Sequence, residues 1–244
     1  MRAVQFSAFG GVEQLKAVEV ERPKPGPGFV LVKVVCASVN PVDWKRASGS
    51  ARLLMPVTFP SVPGYDLAGE IAELGPGVSG FQVGERVHAR ALTSGASAEY
   101  ALAEVSTVTR MPSNMSFEDA AAIPLAGMTA LQGLRNEAGM TMKGATQRVL
   151  VVGASGGVGH LGAQIAMAAG AKVVGVCSGK NVALVRSLGV EEVVDYTQPN
   201  AYEKQEPFDI VLDCVSDNPM EFLPMLKAGG TYVSALPGPQ TILR

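Results

Sequence analysis

The chain has 244 residues, a formal net charge of −2, 47% hydrophobic residues and only 17% charged ones. That is enough length for one or two domains with a real core, and it excludes a disordered chain. The balanced charge, without basic runs, excludes an electrostatic case for nucleic acid or an anionic membrane surface as partner.

Met1 to Phe6 already reads as strand and carries neither a signal-peptide core nor a transit segment. From there to about residue 110 the pattern is all-β. Short runs at 30–35, 68–74, 86–89 and 98–101 are separated by turns such as Pro25-Gly26-Pro27-Gly28 and Gly75-Pro76-Gly77, which predicts a compact barrel-like β domain. Asn40, Asp43 and Lys45 fall in what reads as a loop after the first of these runs. Ser116 to Asp119 resembles a helix start, and 120–139 a helical segment broken by Pro124. That segment is the most apolar stretch of the chain, yet it falls well short of the roughly 20 residues that cross a bilayer. From residue 149 strands (149–152, 172–177, 192–194, 208–213, 231–235) alternate with helical segments, which predicts an α/β, doubly wound parallel sheet. The expected division is a β domain over 1–120 and a nucleotide-fold domain over 121–244. Cys36, Cys177 and Cys214 are far apart, as expected of a reducing compartment.

The segment 149–166 is the most informative. An apolar strand runs into a glycine turn (Ala154, Ser155, Gly156, Gly157, Val158, Gly159) and then into a helix. Such a turn lets the backbone approach a dinucleotide pyrophosphate: Gly156 admits the phosphates, Gly159 lets the helix pack tightly, and the helix N-terminus faces the anion. Taken alone the motif also fits a glycine-rich turn with no ligand. The next strand ends in Ser178-Gly179-Lys180-Asn181 rather than in the acid that would receive the ribose hydroxyls of NAD. A hydroxyl and a cation suit a 2′-phosphate, so Ser178 and Lys180 point to NADPH. Lys180 also reads as a solvated surface lysine. Tyr196 either reaches the same phosphate or merely packs beside it.

Five motifs in order, residues 37–46, 63–70, 81–87, 125–130 and 154–159, make the whole chain resemble the medium-chain dehydrogenase/reductase superfamily, and within it the zinc-free quinone oxidoreductase branch. The resemblance implies an N-terminal GroES-like β-barrel followed by a Rossmann domain. It also implies hydride transfer from NADPH to a quinone or to the β-carbon of an α,β-unsaturated carbonyl, in a dry cleft between the domains. Two histidines and three scattered cysteines cannot build a four-ligand zinc site. Where zinc-dependent relatives carry ligands, this chain has Asn40 and Tyr65. His160 is expected at a helix start rather than as a base.

A metal-free site must polarise the acceptor oxygen by hydrogen bonds. The candidates are Asn40, as donor to the substrate or the nicotinamide ribose, Lys45, as a cation or proton relay, and Asp43, which orients them. Lys45 reads equally as an ion-pair partner of Asp43. Thr129 matches the family position that contacts nicotinamide, or else caps a helix; Leu236 lines the nicotinamide pocket, or else is plain loop. Members of the family continue for several dozen residues past the point where this sequence stops. A truncated Rossmann sheet, with an unpaired edge at its fifth strand, is therefore expected, and a homodimer for the full-length form. Expected partners are thus a small hydrophobic enone or quinone, with no nucleic acid and no membrane span. The compartment is expected to be the cytoplasm, or the chloroplast in a plant or alga. A non-catalytic NADPH-binding protein or an inactive fragment is the alternative.

Overall fold

The structure is a computed structural model that describes the backbone of residues 1–243 except Leu92, Lys204, Asp217 and 237–241; side chains beyond Leu236 are left aside. The chain divides into two units, Met1–Leu125 and Ala126–Arg244.

In the first unit β1 (Arg2–Gln5) pairs antiparallel with β2 (Lys16–Glu19). Five further strands follow: β3 (Phe29–Ala37), β4 (Asp66–Leu74), β5 (Arg86–Arg90), β6 (Tyr100–Glu104) and β7 (Thr109–Arg110). They form an antiparallel sheet in the order β6-β3-β4-β5-β7. Val30, Val32, Leu67, Ile71, Val87 and Ala101 close its core with no measurable exposure beyond 1%. The β3–β4 register shifts at Leu31/Val32 and again at Val34/Cys36, and such bulges bend a sheet and add twist. Gly69 is required on β4, because a Cβ there would stand 2.1 Å from the Lys33 carbonyl oxygen.

A short helix, α1 (Pro41–Ala47), lies where the sequence reads as loop. Its signals are local and were there to be read: Asn40 at the N-cap, Pro41 in the first turn and Asp43 completing a capping box. Seven residues are too few for an apolar periodicity, so only the cap announces the helix. The predicted helix start at Ser116 is observed. Its Oγ accepts from the Asp119 N–H at 3.0 Å and opens α2 (Phe117–Ala121). After the break, α3 spans Pro124–Gln132 and continues as a π-turn over Gly133–Glu137.

The second unit carries β8 (Arg148–Val152), α4 (Gly157–Ala169), β9 (Lys172–Cys177), α5 (Val182–Ser187), β10 (Glu192–Asp195), β11 (Phe208–Asp213), β12 (Leu226–Ser234) and β13 (Ile242–Leu243). The sheet order is β10-β9-β8-β11-β12-β13, and every pairing is parallel except the last. Strands 148–152 are buried on both faces: Val149 and Val151 join one core layer, Leu150 and Val152 the other. The first layer is covered by α4 and by Val185 of α5. The second is covered by Tyr202 and Phe222, from turns, and by Leu223 and Met225, from a short 3-10 segment rather than an α-helix. The small face of α4, with Gly159, Gly162, Ala163 and Ala166, lets it lie close to the sheet. A Cβ on Gly162 would meet Leu212 at 2.7 Å. The fifth strand is not the bare edge expected from the sequence. Ile242 and Leu243 pair antiparallel with Val233 and Tyr232, so the chain's own last residues engage part of the edge's hydrogen bonding. No helix among the described residues is long and apolar enough to cross a membrane.

Candidate functional site

The sheet order reverses at β8: β9 and β10 lie to one side, β11 and β12 to the other. Crevices at the carboxyl ends of strands flanking such a switch are where open α/β sheets take ligands. Here a cavity of about 460 Å³ opens there, lined by Gly153, Ser155, Gly156, Ser178, Asn181 and Tyr196, among others.

The turn entering it is built from local constraints. Gly153 has φ +77°, and a Cβ on it would meet Val215 at 2.6 Å, so the left-handed glycine falls one residue before the Ala154 singled out in the sequence. The N–H groups of Gly153 and Ala154 both donate to the Val176 carbonyl, at 3.1 and 2.9 Å. Gly156 then caps α4, and its N–H donates to the Gly153 oxygen at 2.9 Å. The first bond of α4 outside the turn runs from His160 N–H to Gly156 O, which places the N–H groups of 157–159 at the helix's uncompensated positive end. His160 also turns Nδ1 to the Gly156 oxygen, at 2.9 Å, in keeping with a helix-start residue. Gly157 is exposed and Val158 half-buried. Gly159 is buried because the helix comes back onto the turn: a Cβ there would stand 2.1 Å from the Gly153 oxygen.

Ser155 and Ser178 meet through Asn181, whose amide nitrogen is 3.1 Å from Ser155 Oγ and 3.3 Å from Ser178 Oγ. Tyr196, 57% exposed, and Tyr202 add aromatic surface to the cavity. Tyr202 packs edge-on against Phe222, and burial pushes its phenol up to about 12, so it keeps its proton as a donor. Lys180 is exposed on the turn Gly179–Asn181 beside the cavity, but it is not among the lining residues. An acid does reach this turn, from β10 rather than β9. Asp195 pairs in register with Cys177, and hydrogen bonds from Thr197, with further ones from Gln198 and Gly179, hold its carboxyl below the usual range. Asn181, Gly153, Tyr202 and Asp195 carried no motif of their own. Only Gly153, a glycine directly behind a buried strand, offered a signal.

Leu236 follows β12, half-buried, with its N–H on Ser234 Oγ at 3.1 Å, and Thr129 lies inside α3 rather than at a helix cap. Neither lines this cavity.

The three candidates of the first unit gather around α1. Asp43, 6% exposed, accepts from the Asn40 N–H at 2.7 Å. The Asn40 side-chain nitrogen donates to Asp66 Oδ2 at 3.0 Å and to Ser38 Oγ at 3.3 Å. Asp66 is fully buried; its Oδ2 also accepts from Leu125 N–H at 3.0 Å, which ties the start of α1 to the first turn of α3. Burial raises the pKa of both carboxyls, and the hydrogen bonds they accept only partly offset it. Lys45 does not follow Asp43 into the interior. Its ammonium lies over the Trp44 ring, 5.6 Å from the centroid, while Arg46 supplies the cation that acts on Asp43. Two residues apart on a helix, positions 43 and 45 point to different sides. Tyr65 is buried with the Arg46 guanidinium 5.5 Å over its ring, and burial raises its phenol pKa.

Known proteins bear on the same two regions. The sequence model of the "Alcohol dehydrogenase GroES-like domain" matches residues 26–113, and that named "Zinc-binding dehydrogenase" matches 157–236. The chain is 38% identical to the chloroplast envelope quinone oxidoreductase homologue of Arabidopsis thaliana, over 99% of this chain and 77% of that protein. It is 35% identical to an NADPH-dependent alkenal/one oxidoreductase of the same plant, over 96% of this chain and 62% of the other. Among solved structures, the quinone oxidoreductase from Coxiella burnetii superposes with a TM-score of 0.82 at 34% identity, covering 96% of this chain and 75% of that one.

Proposed function

The chain belongs to the quinone oxidoreductase family of the medium-chain dehydrogenase/reductase superfamily, and on that premise we propose that it reduces quinones, or the C=C bond of α,β-unsaturated carbonyls, with NADPH. The observation that carries this reading is the Gly153–Gly156 turn capping α4 at the rim of a cavity of about 460 Å³. The cradle fits a dinucleotide. The α4 N-terminus and Ser155 would face its pyrophosphate, Ser178 and Lys180 would hold a 2′-phosphate, and Tyr196 and Tyr202 would offer aromatic surface to a base. When bound, the nicotinamide supplies the hydride.

The protein's own contribution is to hold and polarise the acceptor. Lys45, whose ammonium is not spent on Asp43, steadies the oxygen that gains charge and delivers or relays the proton. Asn40 is a positioning residue in this reading, since its amide nitrogen already serves Asp66 and Ser38. Asp43 fixes the helix that carries Lys45. A metal-free reaction is supported by the side chains at 40 and 65: an amide nitrogen committed to a carboxylate, and a phenol whose proton burial retains. NADPH is favoured over NADH by the hydroxyl and cation on the 178–180 turn, against which Asp195 weighs.

The test is to mix the protein with NADPH or NADH and a small enone or quinone, and to follow reduced-nicotinamide absorbance. Oxidation that prefers NADPH is the expected result. Binding without oxidation of either acceptor would instead select the non-catalytic reading.

A further inference from the structure

We infer that Asn181 is the positioning residue that aims two serine hydroxyls into the cofactor cavity, and that it thereby sets selectivity for the 2′-phosphorylated dinucleotide. The inference rests on the dinucleotide reading above and assigns a role to a residue that reading does not use. Asn181 lines the cavity, as do Ser155 and Ser178. Its amide nitrogen has two protons, and the two serine oxygens lie 3.1 and 3.3 Å away, one for each. A hydroxyl has a single proton. An oxygen that accepts from Asn181 therefore has its own O–H left to donate elsewhere, and the space before both serines is the cavity.

The amide is held from behind. Asn181 N–H donates to the Ser178 carbonyl at 2.8 Å, closing the turn Gly179–Asn181 on which the side chain stands. Ser155 precedes α4 and Ser178 follows β9, so one side chain fixes donors on two separate segments. The Ser155 donor stands with the α4 N-terminus, where a pyrophosphate would lie. The Ser178 donor stands at the end of β9, where the ribose would lie. The second donor has an opponent: the Asp195 carboxylate contacts the same turn, within 2.6 Å of where a Gly179 Cβ would be. A phosphate on the ribose needs a hydroxyl already turned toward it to outweigh that charge. A bare ribose needs it less.

Asn181→Asp tests the direction of these bonds at nearly unchanged shape. A carboxylate accepts only, so both serine protons turn back to it and their lone pairs face the anion. Measured by isothermal titration, Asn181→Asp should weaken NADPH by about 100-fold and NADH by about tenfold, and Asn181→Ala by about tenfold and threefold. 2′,5′-ADP should lose more affinity than 5′-ADP in both variants. In case the aspartate variant folds poorly, a double-mutant cycle of Asn181→Ala with Ser178→Ala gives a second reading. The two losses in NADPH affinity should be strongly non-additive. Equal losses for both dinucleotides, or additive losses in the cycle, would overturn the inference while leaving the reductase reading intact. Wild-type protein that binds neither dinucleotide would overturn both.

Discussion

The polar groups around α1 and those around the α4 turn are arranged to opposite ends. In the first unit, Asn40, Asp43 and Asp66 turn inward: both carboxyls are buried, and their partners are backbone N–H groups and the Asn40 amide. In the second, Ser155, Ser178, Asn181 and the start of α4 keep donor capacity facing a cavity. The first arrangement spends its donors within the fold and fixes geometry, while Asp43 Oδ1 and Asp66 Oδ1 stay buried without a hydrogen-bond partner among the described residues; the second keeps donors at a cavity wall and so can take an anionic ligand. Capacity to bind an anion lies where donors remain after folding, and near Asn40 what remains is buried carboxyl oxygen, which accepts and does not donate when ionised.

The sharpest way to break this contrast is Gly159→Ala. The added methyl has no space beside the Gly153 oxygen, so α4 must move off the turn. A loss of about 3 kcal/mol in stability is expected, with loss of detectable NADPH binding; unchanged melting and binding would mean the close approach is not needed. Asp66→Ala comes next. It removes the carboxyl oxygen to which the Leu125 N–H and the Asn40 amide both donate, at a cost of about 2 kcal/mol by denaturant unfolding. NADPH affinity should hardly change, because the cradle belongs to the other unit.

Titration sharpens the same point. Burial raises the Asp66 pKa above its ordinary 3.8, so the folded chain binds that proton more tightly than the unfolded one. The linked stability is fully present below pH 3.8 and is lost as pH rises through the raised value. Asp66→Asn should therefore gain stability relative to the wild type across the window just above 3.8, and a constant difference there would contradict the burial argument. Lys45→Ala should lower turnover on enones by about tenfold with NADPH affinity nearly unchanged, and full turnover would remove Lys45 from the reaction. The smallest effect expected is that of Asp195→Asn. Removing a charge from the 178–180 turn should tighten NADPH by about threefold and leave NADH nearly unaltered, as read from the two dissociation constants.

Much of the second unit was legible because its signals are short-range. A strand buried on both faces is a continuous apolar run, and a helix that returns onto its own turn demands glycine at a fixed offset; Val149 to Gly159 show both. The α1 helix was legible in principle, through Asn40, Pro41 and Asp43, but its brevity hid it. Other features had no local signal. Asp195 reaches Gly179 only because β10 pairs with β9 in a register that sets it against Cys177. Asp66 joins Asn40 to Leu125 across 26 and 59 residues of sequence.

The sequence by itself determined the two kinds of unit, the strand-to-helix glycine turn and the residue types needed to bind a phosphorylated dinucleotide, because periodicity and glycine sterics act over a few residues. Only the tertiary structure decided which of those polar groups are spent on the fold and which remain for a ligand. Asn40 and Asn181 are the same amide. One gives its protons to a buried carboxylate and a serine within the fold, and the other gives them to two hydroxyls at a cavity wall, a difference set by which strands and helices the fold brings beside each.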